Sequence, residues 1–106
     1  MAQDEDIRGQ LLASESLLEL SRFGSLCRVE HSLLIEMIEF GVLEPEGDEP
    51  ASWRLPVSDL LRARRAARLR RDLDINTAGI AVILDLLEQR DQLLARLRRF
   101  ENLLSE

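Results

Sequence analysis

Cys27 and His31 are the chain's single cysteine and single histidine, and they stand four residues apart. On a helix that spacing brings two side chains to one face, as in half of a metal site. A tetrahedral site needs further ligands, and there is no second cysteine or histidine to supply them. One thiol and one imidazole, without a glycine-rich phosphate loop, leave no nucleophile–base signature. No enzyme, metal or cofactor is therefore expected, and Cys27 reads as a small packed side chain. The groups with chemistry left to do are carboxylates. Glu30, Glu36, Glu39, Glu44 and Glu46 fall in one short stretch, and Glu36 and Glu39, three apart, share a helix face. Such a face attracts and orients a cationic partner; the plainer reading is a solvated surface that keeps a small protein soluble.

The chain has 106 residues, enough for one core and a protruding helix, and a net charge of −6. Lysine and tyrosine are absent, so all 14 basic residues are arginines. Residues 1–50 hold twelve acids and three arginines, whereas residues 51–106 hold eleven arginines and eight acids. A sign asymmetry of that size suggests two faces that meet different things. Net negative charge disfavours a general polyanion binder, so DNA binding is not expected. No apolar run is long enough for a membrane span, and the acidic start Asp4-Glu5-Asp6 is unlike a secretory signal. With one cysteine and no disulfide framework, a cytoplasmic protein is expected.

The elements that must position the carboxylates are mostly helices. Residues 1–13 read as a flexible acidic tail. Ser16-Leu17-Leu18-Glu19 has capping-box spacing and predicts a short helix with Leu17, Leu18, Leu20 and Phe23 inward and Gly24 as its stop. A second helix is predicted from Glu30 to Phe40, on Leu33, Leu34, Met37 and Ile38, closed by Gly41. The acidic run Glu44-Pro45-Glu46-Gly47-Asp48-Glu49-Pro50 is a loop, and Val42-Leu43 and Trp53-Leu55 are expected to pair as a small wing. A third helix is expected over Val57–Leu73, with Leu60, Leu61, Ala67 and Leu69 inward and Arg64, Arg68 and Arg71 on one outer face. Its arginines are expected mainly to pair with surplus carboxylates. Asn76 is the predicted cap of a last helix from about Ala78 to Leu104. Ile80, Ile83, Leu87, Leu94, Leu97 and Leu104 repeat there in a seven-residue register, broadened by Leu86, Leu93, Phe100 and Leu103. So wide a stripe, so far from the core, calls for a partner helix.

The order of helix, turn, helix, hairpin, third helix and long helix resembles the MerR-like winged helix-turn-helix. Leu18-Glu19-Leu20-Ser21, Glu39-Phe40-Gly41-Val42-Leu43-Glu44-Pro45 and Trp53-Arg54-Leu55 carry that likeness. DNA-binding members place an arginine and aromatics on the second helix; here stand Ile35-Glu36-Met37, with Glu30 before and Glu39 after. With that exchange, Leu69-Arg70-Arg71-Asp72-Leu73 leading to Gly79-Ile80-Ala81-Val82 is similar to the CbpM family of chaperone modulators. The resemblance implies an all-α, MerR-like fold with a two-stranded wing: a helix-turn-helix domain over residues 14–75, then a leucine-rich helix over 76–106. It implies binding to the J-domain of a DnaJ-like co-chaperone, CbpA, and its inhibition. J-domains recruit DnaK through a basic helix, so the acidic set Glu30, Glu36, Glu39, Glu44 and Glu46 is the expected docking surface. Ile83, Leu87, Leu94, Leu97, Phe100 and Leu104 are the expected homodimer seam. The alternative is a MerR-like DNA-binding transcription regulator.

Overall fold

A computed structural model describes residues 16–105, so the expected tail over 1–13 lies outside the described residues. Leu17–Glu19 is a strand, β1, and the first helix, α1, runs from Leu20 to Cys27. The capping-box spacing at Ser16 therefore does not start a helix. A local cap is worth only about 1 kcal/mol, and a strand here satisfies more backbone groups. β1 pairs antiparallel with β2, Arg54–Pro56, in the register Leu17 with Pro56, Leu18 with Leu55 and Glu19 with Arg54. The Val57 N–H extends the pairing by donating to the Ser16 carbonyl at 3.2 Å. Leu55 is thereby fixed in the core with Leu18 packed against it.

Gly24 does not stop α1 but lies buried within it. A Cβ there would stand 3.0 Å from Leu34 Cδ1 and 3.1 Å from the Val29 carbonyl oxygen, so glycine allows the next helix its close approach. The helix is closed by Arg28, which adopts the left-handed conformation (φ 54°) and donates its N–H to the Gly24 carbonyl. Helix α2 then spans His31–Glu39, and Gly41 (φ +76°) turns the chain away.

The wing is built differently from expectation. Val42 and Leu43 are buried core residues, and their N–H groups both return to the Met37 carbonyl, at 2.8 and 3.3 Å. They are not the partner strand of β2. On the side away from Glu19, Arg54 is bridged by Glu46 through two backbone hydrogen bonds of 2.8 and 2.9 Å. The intervening loop carries a 3-10 turn over Pro50–Ser52.

A second 3-10 turn, Val57–Asp59, leads into α3, Leu60–Leu73. Leu60, Ala63 and Ala66 form its buried face, while Leu61 is 44% exposed. Two alanines at a spacing of three let α1 and α4 pack close, so this stripe is smaller and rotated from the predicted one. Helix α4, Thr77–Leu104, begins as predicted: the Asn76 side chain accepts the Gly79 N–H at 2.8 Å. At 1.5 Å per residue it is ~42 Å long. Only Thr77, Ile80 and Leu84 of α4 are buried. The core joins Phe23, Leu34, Met37, Leu43, Leu55 and Leu60 to that first part of α4. Leu60→Ala is expected to lower stability by about 3 kcal/mol, seen as a lower urea midpoint with an unchanged slope.

Candidate partner-binding surface

The second helix and the wing bring the carboxylates out of the body, but not to one point. Glu30 caps the start of α2 and is exposed. Glu39 ends the helix, nine residues along from Glu30, and is also exposed. At 1.5 Å per residue the two are separated by ~13 Å along the helix axis. Glu44 is exposed beyond Gly41, and Glu46 carries its exposed side chain on the wing beside Asp48 and Glu49. Among the described residues, no arginine stands within ion-pair distance of Glu30, Glu39, Glu44, Glu46, Asp48 or Glu49.

Glu36 is placed otherwise. Its carboxylate accepts from Arg70 Nη1 at 2.9 Å and from the Thr77 hydroxyl at 2.8 Å, and Arg70 Nη1 also donates to Thr77 Oγ1 at 3.0 Å. The triad ties α2 to α3 and to the first turn of α4, so Glu36 serves the scaffold rather than joining Glu39 on an open face. The hydrogen bond from Arg70, then that from Thr77, holds its carboxyl below the usual carboxylate range. A depressed carboxyl stabilises the fold fully above its unfolded pKa, and that contribution is lost as pH falls through the folded value. Glu36→Gln is therefore expected to reduce stability at pH 7. The gap to the unsubstituted protein should narrow as pH falls below the ordinary carboxylate value of about 4.3 and through the lower folded one, measured by urea unfolding at each pH.

The arginines of α3 divide by role. Arg62 Nε donates to the Val42 carbonyl at 2.7 Å, and its guanidinium pairs with Asp85 and Glu88, clamping the loop after α2 to α4. With Arg62, Glu44, Asp59, Asp85 and Glu88 line one cleft. Burial pushes the Asp59 carboxyl up, against the attraction of Arg62 and with help from the like charge of Glu44. On another face Arg64, Arg68 and Arg71 share a cleft of about 200 Å³ with Arg28, over Cys27 and Ala67. Arg71 pairs with its neighbour Asp72 at 2.9 Å. Burial raises the Cys27 thiol to about 11, so it adds no negative charge there at neutral pH. Cys27 is a packed core residue, while His31 is exposed at the start of α2.

Two clefts lie where residue spacing offers little warning. One, of about 430 Å³, opens between α1 and α2 and is floored by Leu20, Gly24, Val29 and Leu34. Its neighbour, of about 370 Å³, lies between α1, His31 and the wing, with Pro50, Ala51 and Trp53 along one wall. Leu20, Ser21 and His31 line both, so the two form one groove. The strand at Leu17–Glu19 creates it, by pinning the wing beside the start of α1. The lone tryptophan was the sequence signal available for this surface.

The far part of α4 carries a second unsatisfied surface. Leu94, Leu97, Phe100 and Leu104 are 44%, 52%, 61% and 74% exposed, with Leu86, Leu93 and Leu103 beside them. Ile83 and Leu87, nearer the body, are half-buried. Ile80, the first residue of the predicted register, is spent in the chain's own core.

Comparison with known proteins adds a family to this geometry. Residues 18–102 match the model of the MerR HTH family regulatory proteins. A chaperone modulatory protein CbpM of Coxiella burnetii (strain Dugway 5J108-111) is 40% identical over 99 residues, spanning 91% of this chain and 93% of the relative. Chaperone modulatory proteins CbpM of Pseudomonas putida strains GB-1 and W619 are 34% and 32% identical over 83 residues, 76% of this chain and 82% of each relative.

Proposed function

The chain belongs to the chaperone modulatory protein CbpM family, on a MerR-type helix-turn-helix, and from that premise we propose that it docks the J-domain of a DnaJ-like co-chaperone, CbpA, and inhibits it. One observation carries the proposal. On α2 and the wing, where a helix-turn-helix would meet phosphate, Glu30, Glu39, Glu44, Glu46, Asp48 and Glu49 stand exposed without an arginine partner among the described residues. That surface repels a nucleic-acid backbone and attracts a cationic protein face. A J-domain's basic helix is such a face, and a body sitting on it would keep DnaK away by occupying the same surface. The long-range attraction supplies rate and orientation, while affinity rests on a smaller desolvated contact.

The protein acts as a homodimer in this reading, joined along α4 through Leu94, Leu97, Phe100 and Leu104, with Ile83 and Leu87 at the inner end. Exposed apolar area of that extent on one helix is what a coiled-coil partner covers. Its place of action is the cytoplasm, with the co-chaperone. The rival reading, a DNA-binding regulator, draws on the cleft of Arg28, Arg64, Arg68 and Arg71. Adding the protein to a DnaK ATPase reaction stimulated by the co-chaperone tests inhibition directly. The stimulated rate should fall toward the basal one as the J-domain is titrated out; an undiminished rate with the protein in excess contradicts the proposal.

A further inference from the structure

We propose that the groove between α1, α2 and the wing is the anchor site for the basic partner, receiving an apolar side chain at its α1–α2 end and cationic side chains at its wing end. The inference deepens the docking reading above and rests on it. Exposed carboxylates alone make weak contacts, because each ion pair in water is worth at most about 1 kcal/mol. A specific complex needs an apolar group taken out of water near the centre of the contact. The groove is the place where α1 and α2 offer one: its floor of Leu20, Gly24, Val29 and Leu34 opens to the same side as Glu30 and His31. A volume of about 430 Å³ holds a leucine, methionine or phenylalanine side chain with room for the turn of backbone that bears it.

The charges along the groove set the direction of the occupant. Arg28 lines the end at the α1–α2 turn. Toward the wing, Arg54 is offset by Glu19 at 3.6 Å, and the wing that forms the wall carries Glu46, Asp48 and Glu49. Glu30 lines that same α1–α2 end beside Arg28, and His31 lines both clefts. The charges lining the trough largely offset each other, and the unpaired negative charge lies on the wing beyond its wall of Pro50, Ala51 and Trp53. A helix with an apolar side chain in the trough and basic ones reaching over that wall therefore fits it. A second copy of the chain is a poor occupant, since the acids of its own α2 and wing would be repelled by those beside this groove. Its large exposed apolar stripe is already assigned to the α4 seam.

Ser21 and Ser25 are exposed on α1 and line the groove, which makes them handles that leave the core intact. Ser21→Phe and Ser25→Phe each place a ring in the trough. Binding of a tryptophan-free J-domain to the full-length protein is followed through Trp53, the only tryptophan, whose indole lies on the groove wall. Wild type should show a blue shift of Trp53 emission on binding. Each Phe variant, with an unchanged urea midpoint, should bind at least about 30-fold more weakly through faster dissociation. Ser58→Phe, exposed and outside the groove, should bind as wild type does. If both groove variants bind with wild-type affinity while reversal of Glu39, Glu44 and Glu46 weakens binding, the anchor lies elsewhere and the docking reading stands. If wild type itself does not bind the J-domain, the docking reading fails and this inference with it.

Discussion

Replacing Glu39, Glu44 and Glu46 together by lysine will weaken J-domain binding by about 100-fold at low salt, most of it as slower association. The three side chains are exposed and have no ion-pair partner among the described residues, so the substitution changes the outer field without breaking an internal tie. Reversing three charges converts three attractions into three repulsions, at somewhat under 1 kcal/mol for each, or about 3 kcal/mol in all. At physiological ionic strength the Debye length is about 8 Å, so the effect should shrink steadily as salt is added. Stability should hardly move. Glu44 adds to the burden on the Asp59 carboxyl, and removing that like charge relieves it slightly. Glu36 is left out of the set because its loss would loosen α2 from α3 and α4. A surface plasmon resonance series at several salt concentrations, with thermal unfolding of the variant alongside, checks each part of this expectation.

Ending the chain after Arg90 will leave a folded monomer, where the proposed α4 seam makes the full chain a dimer. The cut removes Leu93, Leu94, Leu97, Phe100, Leu103 and Leu104, all exposed in the single chain. It spares Thr77, Ile80 and Leu84, the buried residues of α4. Apolar burial contributes roughly 25 cal/mol per Å², so covering six large side chains even partly is worth on the order of 5 kcal/mol to association. The dissociation constant should therefore rise by about 10³-fold or more. Sedimentation velocity on both chains, together with far-UV circular dichroism, tests the two halves of the statement separately. A shortened chain that remains dimeric would place the interface on the body of the molecule instead.

Helix α2, the Asn76 cap and the full extent of α4 were legible because each is written locally. Leu33, Leu34, Met37 and Ile38 recur at helical spacing, Gly41 follows at a positive φ, and Asn76 offers an acceptor to the Gly79 N–H. What could not be read was decided between distant segments. Ser16 to Glu19 has the residues of a cap, yet Leu18 goes to Leu55 and Glu19 to Arg54 because Leu55 needs a buried neighbour. Gly24 has the look of a stop, but its missing Cβ answers the approach of Leu34. The MerR-like order of elements survived these shifts, since helix count and spacing do not depend on which short segment pairs with β2.

The acidic surface was legible as a sign rather than as a site. Charge counting identified the stretch containing Glu30, Glu36, Glu39, Glu44 and Glu46, but one-dimensional spacing cannot say which carboxylate meets an arginine from another helix. Arg70 reaches Glu36 across 34 positions and Thr77 across 41. Pairing Glu36 with Glu39 by their i,i+3 spacing therefore put together one residue that holds helices in place and one that faces water. The groove has no one-dimensional signature for the same reason, since its walls come from α1, α2 and a wing that pairs with a strand distant in sequence.

A calorimetric titration of the protein with a purified J-domain, and in parallel with a DNA duplex, at 50 and 300 mM salt is the most direct test of a cation-seeking helix-turn-helix. The J-domain should bind measurably at both salts and several-fold more tightly at the lower one, while the duplex gives no heat at either. Tight, steeply salt-dependent binding of the duplex with none of the J-domain would contradict the account.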